Sequence, residues 1–308
     1  MKKIILFILA LPIAIFAESP PINFAVIGDF GSNTKGEAAV AKKVKEHEPE
    51  FVITVGDNNY TQGCWSSIDS NIGKYYSQYI GNYKGKYGNG SEENRFFPTL
   101  GNHDWYAKNS CLYHGTLPYL EYFTLPGNGR YYDFVKGPIH FFALDSDPHE
   151  PDGATKNSEQ HKWLESAIKK STSPFNIAYF HHASYSSSSH GNDVRMQWNF
   201  KELGINLVLS GHDHTYERIV RDGLTYVVNG IGGPHHLTGI HKKTKGSQFF
   251  YAKKFGFMMI TADSNNLTAH LINEDNDIID TFLIKAPALI NAPNTKQESM
   301  MASQPDPS

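Results

Sequence analysis

Cysteine is all but missing from this chain. Cys64 and Cys111 are the only two, and neither has the spacing of a thiolate metal site. In an oxidising compartment the pair can close one disulfide, tying the loop after Tyr60 to the loop after Asp104; two unpaired thiols are the alternative. An excess of charge of one sign is lacking too. A formal net charge of -3 and a pI near 6.6 supply no global basic field, so nucleic acid is not expected as an obligate partner. Past the first residues there is no apolar run long enough to span a bilayer, and there is no internal repeat. What is present is a 308-residue chain with ample length for a sizeable core.

The first residues read as an export signal. Lys2 and Lys3 give a charged start, Ile4 to Phe16 an almost unbroken apolar run, and Ala17 a small residue before Glu18 and Ser19. Cleavage is expected after Ala17, although Ile15 stands where a smaller residue is commoner. About thirteen apolar residues interrupted by Pro12 fall short of the roughly 20 that a membrane helix needs. No cysteine follows the signal closely, which argues against a lipoprotein. The expected layout is a signal peptide over 1–17, one domain over 18–285 and a flexible tail over 286–308, with a periplasmic or secreted product.

Short β-rich runs end at polar turns: Asn23 to Ile27, Phe51 to Val55, Phe97 to Leu100, Asn176 to Phe180 and Leu207 to Leu209. Thr34 to His47 and Ser158 to Lys170 are predicted helices that open on Thr and Ser caps. This strand-loop-helix repetition predicts an α/β sheet with functional groups beyond the strands' C-terminal ends. Thr225 to Asn229, Phe255 to Ala262, Asn266 to Ile272 and Ile278 to Ile284 read as antiparallel strands finishing a second sheet, and Gly81 to Glu93 as an exposed loop.

Five segments at the ends of those strands carry the chemistry: Gly28-Asp29-Phe30-Gly31, Gly56-Asp57-Asn58-Asn59-Tyr60, Gly101-Asn102-His103-Asp104, Tyr179-Phe180-His181 and Gly211-His212-Asp213-His214. A Gly-Asp pair alone is a common turn. Two imidazoles at i and i+2 after a strand, together with the other segments in order, are not. A pair of cations a few ångströms apart needs about six to eight protein ligands and a bridging carboxylate, for which Asp57 is the natural choice. Oxygen donors mixed with imidazoles suit iron, manganese or zinc.

On these residues the chain resembles the metallophosphatases (calcineurin-like phosphoesterases) and, within them, the small purple, or tartrate-resistant, acid phosphatases. Tyr60 decides the second step, because the purple enzymes place an iron-binding tyrosine in that segment. The resemblance spans about residues 24–233. It implies a four-layer αββα sandwich of two mixed sheets flanked by helices. It further implies a dinuclear centre, with Fe(III) held by Asp29, Asp57, Tyr60 and His214. A divalent ion (Fe, Zn or Mn) would be held by Asp57, Asn102, His181 and His212. His103 and His190 would contact phosphate oxygens or protonate the leaving group; a solvent-exposed loop histidine is the alternative for His190. His182 is read as structural or supporting, and Asp104, Asp213, Glu217 and Arg218 as residues that orient ligands or cap turns. Gly230 to Gly233 lacks the helix and lysine of a nucleotide loop and reads as a turn; His235 and His236 after it could line the pocket but match no motif.

The activity implied is acid phosphomonoester hydrolysis by a metal-bound hydroxide on a small phosphorylated substrate, a phosphoprotein or a nucleotide. A phosphodiesterase or nucleotidase built on the same site is a second reading, and a metal-stabilised binding or adhesion module a third.

Overall fold

A computed structural model describes residues 21–111 and 115–287. The export segment and nearly all of the expected tail lie outside the described residues.

Parallel strands β1 (Ile22–Ile27), β2 (Phe51–Thr54) and β3 (Phe96–Pro98) form half of one sheet. A second sheet contains β4 (Tyr132–Lys136), β5 (Ile139–Ala143), β6 (Phe175–His182), β7 (Leu207–Gly211), β8 (Tyr216–Arg221), β9 (Leu224–Asn229) and β10 (Ser247–Tyr251). Its order is β10-β8-β9-β7-β6-β5-β4, with β5, β6, β7 and β9 parallel. The last strands, β11 (Gly256–Ala262), β12 (Asn266–Asn273) and β13 (Ile278–Lys285), return to the first sheet, whose order is β13-β12-β11-β1-β2-β3.

That return corrects one expectation. Only Leu224–Asn229 joins the second sheet; β11 pairs antiparallel with the free edge of β1, from Ile22 opposite Ala262 to Val26 opposite Met258. Alternation in a sequence marks a strand but not the edge it will pair with, because that choice is made by residues more than two hundred positions away.

Side-chain alternation builds the layers. Phe24 and Val26 of β1, with Phe51 and Ile53 of β2, face the second sheet, while Ala25, Ile27 and Val52 face outward. Phe24 stacks on Phe51 at 5.0 Å and meets Phe141 of the other sheet edge-on at 5.2 Å. The outward face is covered by the helix Lys35–Glu46 through Val40, Ala41 and Val44. The helix Glu159–Ile168 covers the far face of the second sheet through Leu164 and Ile168. The molecule is therefore a helix-sheet-sheet-helix sandwich, whose inner strands β2, β5 and β7 are buried on both faces and correspondingly rich in apolar residues. Thr34 caps the first helix by accepting the Glu37 N–H at 3.0 Å, and Ser158 caps the second by accepting that of His161 at 3.2 Å.

Candidate metal centre

Loops after β1, β2 and β3 of one sheet meet the ends of β6 and β7 of the other. The Val55 carbonyl accepts His181 Nδ1 at 2.8 Å, and the Asp29 carboxylate accepts the His212 N–H at 3.0 Å. His181 lies inside β6, at its end, rather than beyond it.

Two clusters of donor atoms share one oxygen. Tyr60 Oη lies 3.2 Å from Asp29 Oδ1, 3.0 Å from Asp57 Oδ2 and 3.1 Å from His214 Nε2. On the other side of the same Asp57 Oδ2, His181 Nε2 stands at 3.2 Å, with Asn102 Oδ1 at 3.1 Å and His212 Nδ1 at 3.2 Å from that nitrogen. All seven sequence-derived ligand candidates are thus brought together. Ligands about 2.1 Å from an ion sit about 3.0 Å apart at octahedral corners and about 3.4 Å apart at tetrahedral ones, so both clusters have the spacing of a coordination shell.

The surroundings aim these atoms. His181 Nδ1 donates to Val55 and His214 Nδ1 to the His236 carbonyl at 3.0 Å, which turns each Nε2 toward the cluster. The His103 N–H occupies Asp57 Oδ1 at 2.9 Å, so Oδ2 is the oxygen left to bridge. Asn102 Nδ2 donates to Tyr106 Oη at 3.0 Å, turning its carbonyl inward. Asp104 holds the loops together by accepting from Gly101 N, Asn58 Nδ2 and Asn58 N at 2.9, 2.9 and 3.2 Å.

Asp29, Asp57 and His212 adopt left-handed φ values of 54°, 53° and 72°, each costing about 1–3 kcal/mol in a non-glycine residue. The preceding glycine matters at Gly56, whose φ is 90° and where a Cβ would stand 2.5 Å from the His181 ring.

Burial and charge oppose one another. Burial raises Asp29 well above the carboxylate range, and the charge of Asp57 adds to this. Burial also disfavours charge on His181, yet Asp57 and Asp29 outweigh it and push that imidazole up to about 10. Burial, followed by the charge of His181, holds His212 well below its ordinary value; burial also takes His214 down to about 4. Burial also works against charge on Asp57, but the charge of His181 outweighs it and holds that carboxyl below its ordinary range, so Asp57 is the anion at the junction of the two clusters.

A cleft of about 590 Å³ opens on the centre and is lined by both proposed substrate-facing histidines, His103 and His190. His103 Nδ1 contacts the Thr61 carbonyl, leaving Nε2 on the cleft side, 3.9 Å from Asp57 Oδ2. His190 is anchored by its N–H to Asp213 Oδ1 at 2.9 Å, and its ring lies 4.0 Å from that of His212. His182 also reaches the cleft; burial, then the charge of His181, holds it well below its ordinary value, and its Nδ1 is hydrogen-bonded to Ser146 Oγ at 2.9 Å. Glu217 fixes Ser187 at 2.7 and 2.6 Å. Arg218 has a different task from the one expected: it pairs with Asp280 at 2.7 and 3.0 Å, tying β8 to β13.

Sequence reasoning missed Asp147, His149 and Arg195, all of which line the cleft; His236, a pocket-lining candidate without a motif, lines it too, and His235 is not among the lining residues. Asp147 and His149 follow β5 just as the ligand motifs follow their strands, so recognising that strand is the signal that finds them. Cys64 and Cys111 form the disulfide, with Cα atoms 5.6 Å apart.

Residues 22–216 match the calcineurin-like phosphoesterase family, well over half of the chain, and the protein belongs to that family. The resemblance to purple acid phosphatases also holds. The chain is 23% identical to purple acid phosphatase 17 of Arabidopsis thaliana over 77% of this chain and 76% of that one. It is 27% identical to the probable purple acid phosphatase 20 of the same plant, over 72% and 54%. Its fold matches a purple acid phosphatase from yellow lupin seeds with a TM-score of 0.68 at 20% identity, over 87% of this chain and 54% of that one. It also matches GAP50, the anchor in the inner membrane complex of Plasmodium, with a TM-score of 0.63 at 20% identity, over 87% and 89%. The chain spans about three quarters of the first relative but only about half of the second and of the lupin enzyme. The family works with a dinuclear metal centre, and the two clusters are candidate ligands for one.

Proposed function

We propose that the protein is an exported acid phosphatase that hydrolyses phosphate monoesters. The observation that carries the reading is the pair of four-atom donor clusters sharing Asp57 Oδ2. Asp29, Asp57, Tyr60 and His214 would hold a ferric ion, for which a phenolate oxygen is a suitable hard donor, and Asp57, Asn102, His181 and His212 a divalent iron, zinc or manganese. When bound, such a pair supplies positive charge that clamps phosphate oxygens and acidifies water.

The chain's own residues do the rest. His103 Nε2, on the cleft side, gives a proton to the departing alcohol oxygen, and His190 stabilises negative charge on the phosphoryl group. Arg195, kept in place by Asp193 at 3.0 and 3.1 Å, adds a guanidinium on the cleft wall. Histidines that must be protonated to act set an acidic optimum. The Cys64–Cys111 disulfide suits an oxidising compartment, which supports export.

The test is turnover of an aryl phosphate monoester and the matching diester from acid to alkaline pH, with elemental analysis of the same protein. An optimum well above neutrality would contradict the ferric assignment, and a preference for the diester would move the reading to a phosphodiesterase.

A further inference from the structure

Beside the metal cleft lies a second cavity, of about 420 Å³, that the proposed reaction leaves unused. It lies between the serine loop that carries His190 and residues 241–245 of the connection from β9 to β10. Ser189 and His190 line both cavities, so the two adjoin across these residues.

Four cationic side chains line this space: Arg221, Lys242, Lys243 and Lys245. Among the described residues no carboxylate is within ion-pair distance of the three lysines, and Arg221 has only Asp222, at 3.9 Å. The Arg221 guanidinium lies over the Tyr185 ring at 4.4 Å. In a chain of net charge -3 this is a local reversal of sign. Like charges gathered around one cavity repel, and an anion placed among them removes that cost.

The basic segment is also pinned. The Ser187 carbonyl accepts from the His241 and Lys242 N–H groups at 2.8 and 2.9 Å, and Ser187 Oγ accepts from Thr244 N at 2.9 Å. Buried Glu217 fixes Ser187 from beneath, so its own charge is engaged by that residue. Asn192 Oδ1 takes bonds from Ser186 N and Thr244 Oγ1 at 2.9 and 3.3 Å, while its exposed Nδ2 group has no hydrogen-bond partner among the described residues. Lys242, Lys243 and Lys245 are themselves exposed, and the pinned backbone roots all three at the rim of one cavity.

We infer that this cavity is a subsite for a second anionic group of the substrate, so that the preferred substrates carry more than one phosphoryl group, as inorganic oligophosphates or as multiply phosphorylated small molecules. The inference rests on the phosphatase reading and narrows it. The phosphoryl group that reacts sits at the metal cleft; the next is held by Lys242, Lys243, Lys245 and Arg221, whose fork can grip two oxygens at once.

The test compares the full-length protein as purified with a Lys242→Ala/Lys243→Ala/Lys245→Ala variant whose thermal midpoint is unchanged. Calorimetric titration with inorganic tripolyphosphate should show binding weakened about tenfold or more in the variant, with orthophosphate binding unaltered. In turnover, KM for tripolyphosphate or for a hexose bisphosphate should rise by a similar factor, while kcat and KM for an aryl monophosphate stay the same. Which of the two rises more tells an inorganic chain from an organic ester. Equal tripolyphosphate affinity in both proteins overturns the subsite, even if aryl phosphate is hydrolysed. If the protein hydrolyses no phosphate compound, the phosphatase reading falls by itself, and the calorimetric difference alone decides whether the cavity is an oligophosphate site.

Discussion

Replacing Tyr60 by phenylalanine removes one oxygen from the point where Asp29, Asp57 and His214 meet. The ring itself is 7% exposed and packs on the His103 ring at 4.3 Å, so the change leaves the packing in place. The first donor set falls from four atoms to three. Residues that merely orient a ligand are worth about 10- to 100-fold in metal affinity, so loss of a donor is expected to cost about 100-fold or more. A cation that binds only the folded state stabilises it by RT ln(1 + [L]/Kd), so at a fixed cation concentration a 100-fold loss removes about 2.7 kcal/mol. For a domain of this size that is about 5–10 °C in the thermal midpoint. Scanning fluorimetry with iron, zinc or manganese added, for wild type and Tyr60→Phe side by side, reads the difference without relying on turnover. The visible absorption of an iron-bound phenolate should vanish in the same variant. If the cation-induced shift is equal in the two proteins, Tyr60 is a core aromatic and the first donor set is wrong.

Reducing the Cys64–Cys111 disulfide, or replacing both residues by serine, opens a link between residues 47 positions apart. Chain entropy puts the loss at about 4 kcal/mol at most, read as a lower denaturant midpoint; an unchanged midpoint would show that the closed loop adds nothing. His103→Ala and His190→Ala should each lower kcat by about 10²- to 10⁴-fold while metal content stays at the wild-type level. Loss of metal instead would assign them to the ligand shell. Glu37 is pushed well above its ordinary 4.5 by burial, against the Asn33 and Ser32 N–H groups that favour its charge. Between that value and its folded pKa, the native state keeps a proton that the unfolded chain has released. Stability conferred by protonated Glu37 is therefore full below pH 4.5 and declines as pH rises, by at most about 1.4 kcal/mol per pH unit. Glu37→Gln should flatten the thermal midpoint between pH 5 and pH 8 relative to wild type; parallel profiles would rule the residue out as the source.

The seven ligand candidates could be read from the sequence because each sits in a short local signature at the end of a strand. There the geometry is set by neighbours one or two residues away: Gly56 before Asp57, and His212 and His214 flanking Asp213. Helix starts at Thr34 and Ser158 were legible for the same reason, since a cap is a contact between residues three apart. Asp147, His149 and Arg195 were not. Asp147 and His149 carry only the weak signal of following β5, whose pairing with β6 brings them to the cleft, and Arg195 arrives by the folding of the loop after His190, which leaves no periodic trace.

The sequence by itself determined which chemistry is on offer: oxygen and imidazole donors in one order along the chain, a signal-like start, and two cysteines with no thiolate-site spacing. Only the tertiary structure decided that Tyr60 Oη and His181 Nε2 lie on opposite sides of one Asp57 oxygen, that the cysteines bond, and that β11–β13 complete the first sheet rather than the second. The reason is range. Caps, turns and strand ends are fixed by contacts a few residues apart, whereas strand pairing, disulfide proximity and the convergence of ligands depend on segments that meet only when two sheets bury their shared core.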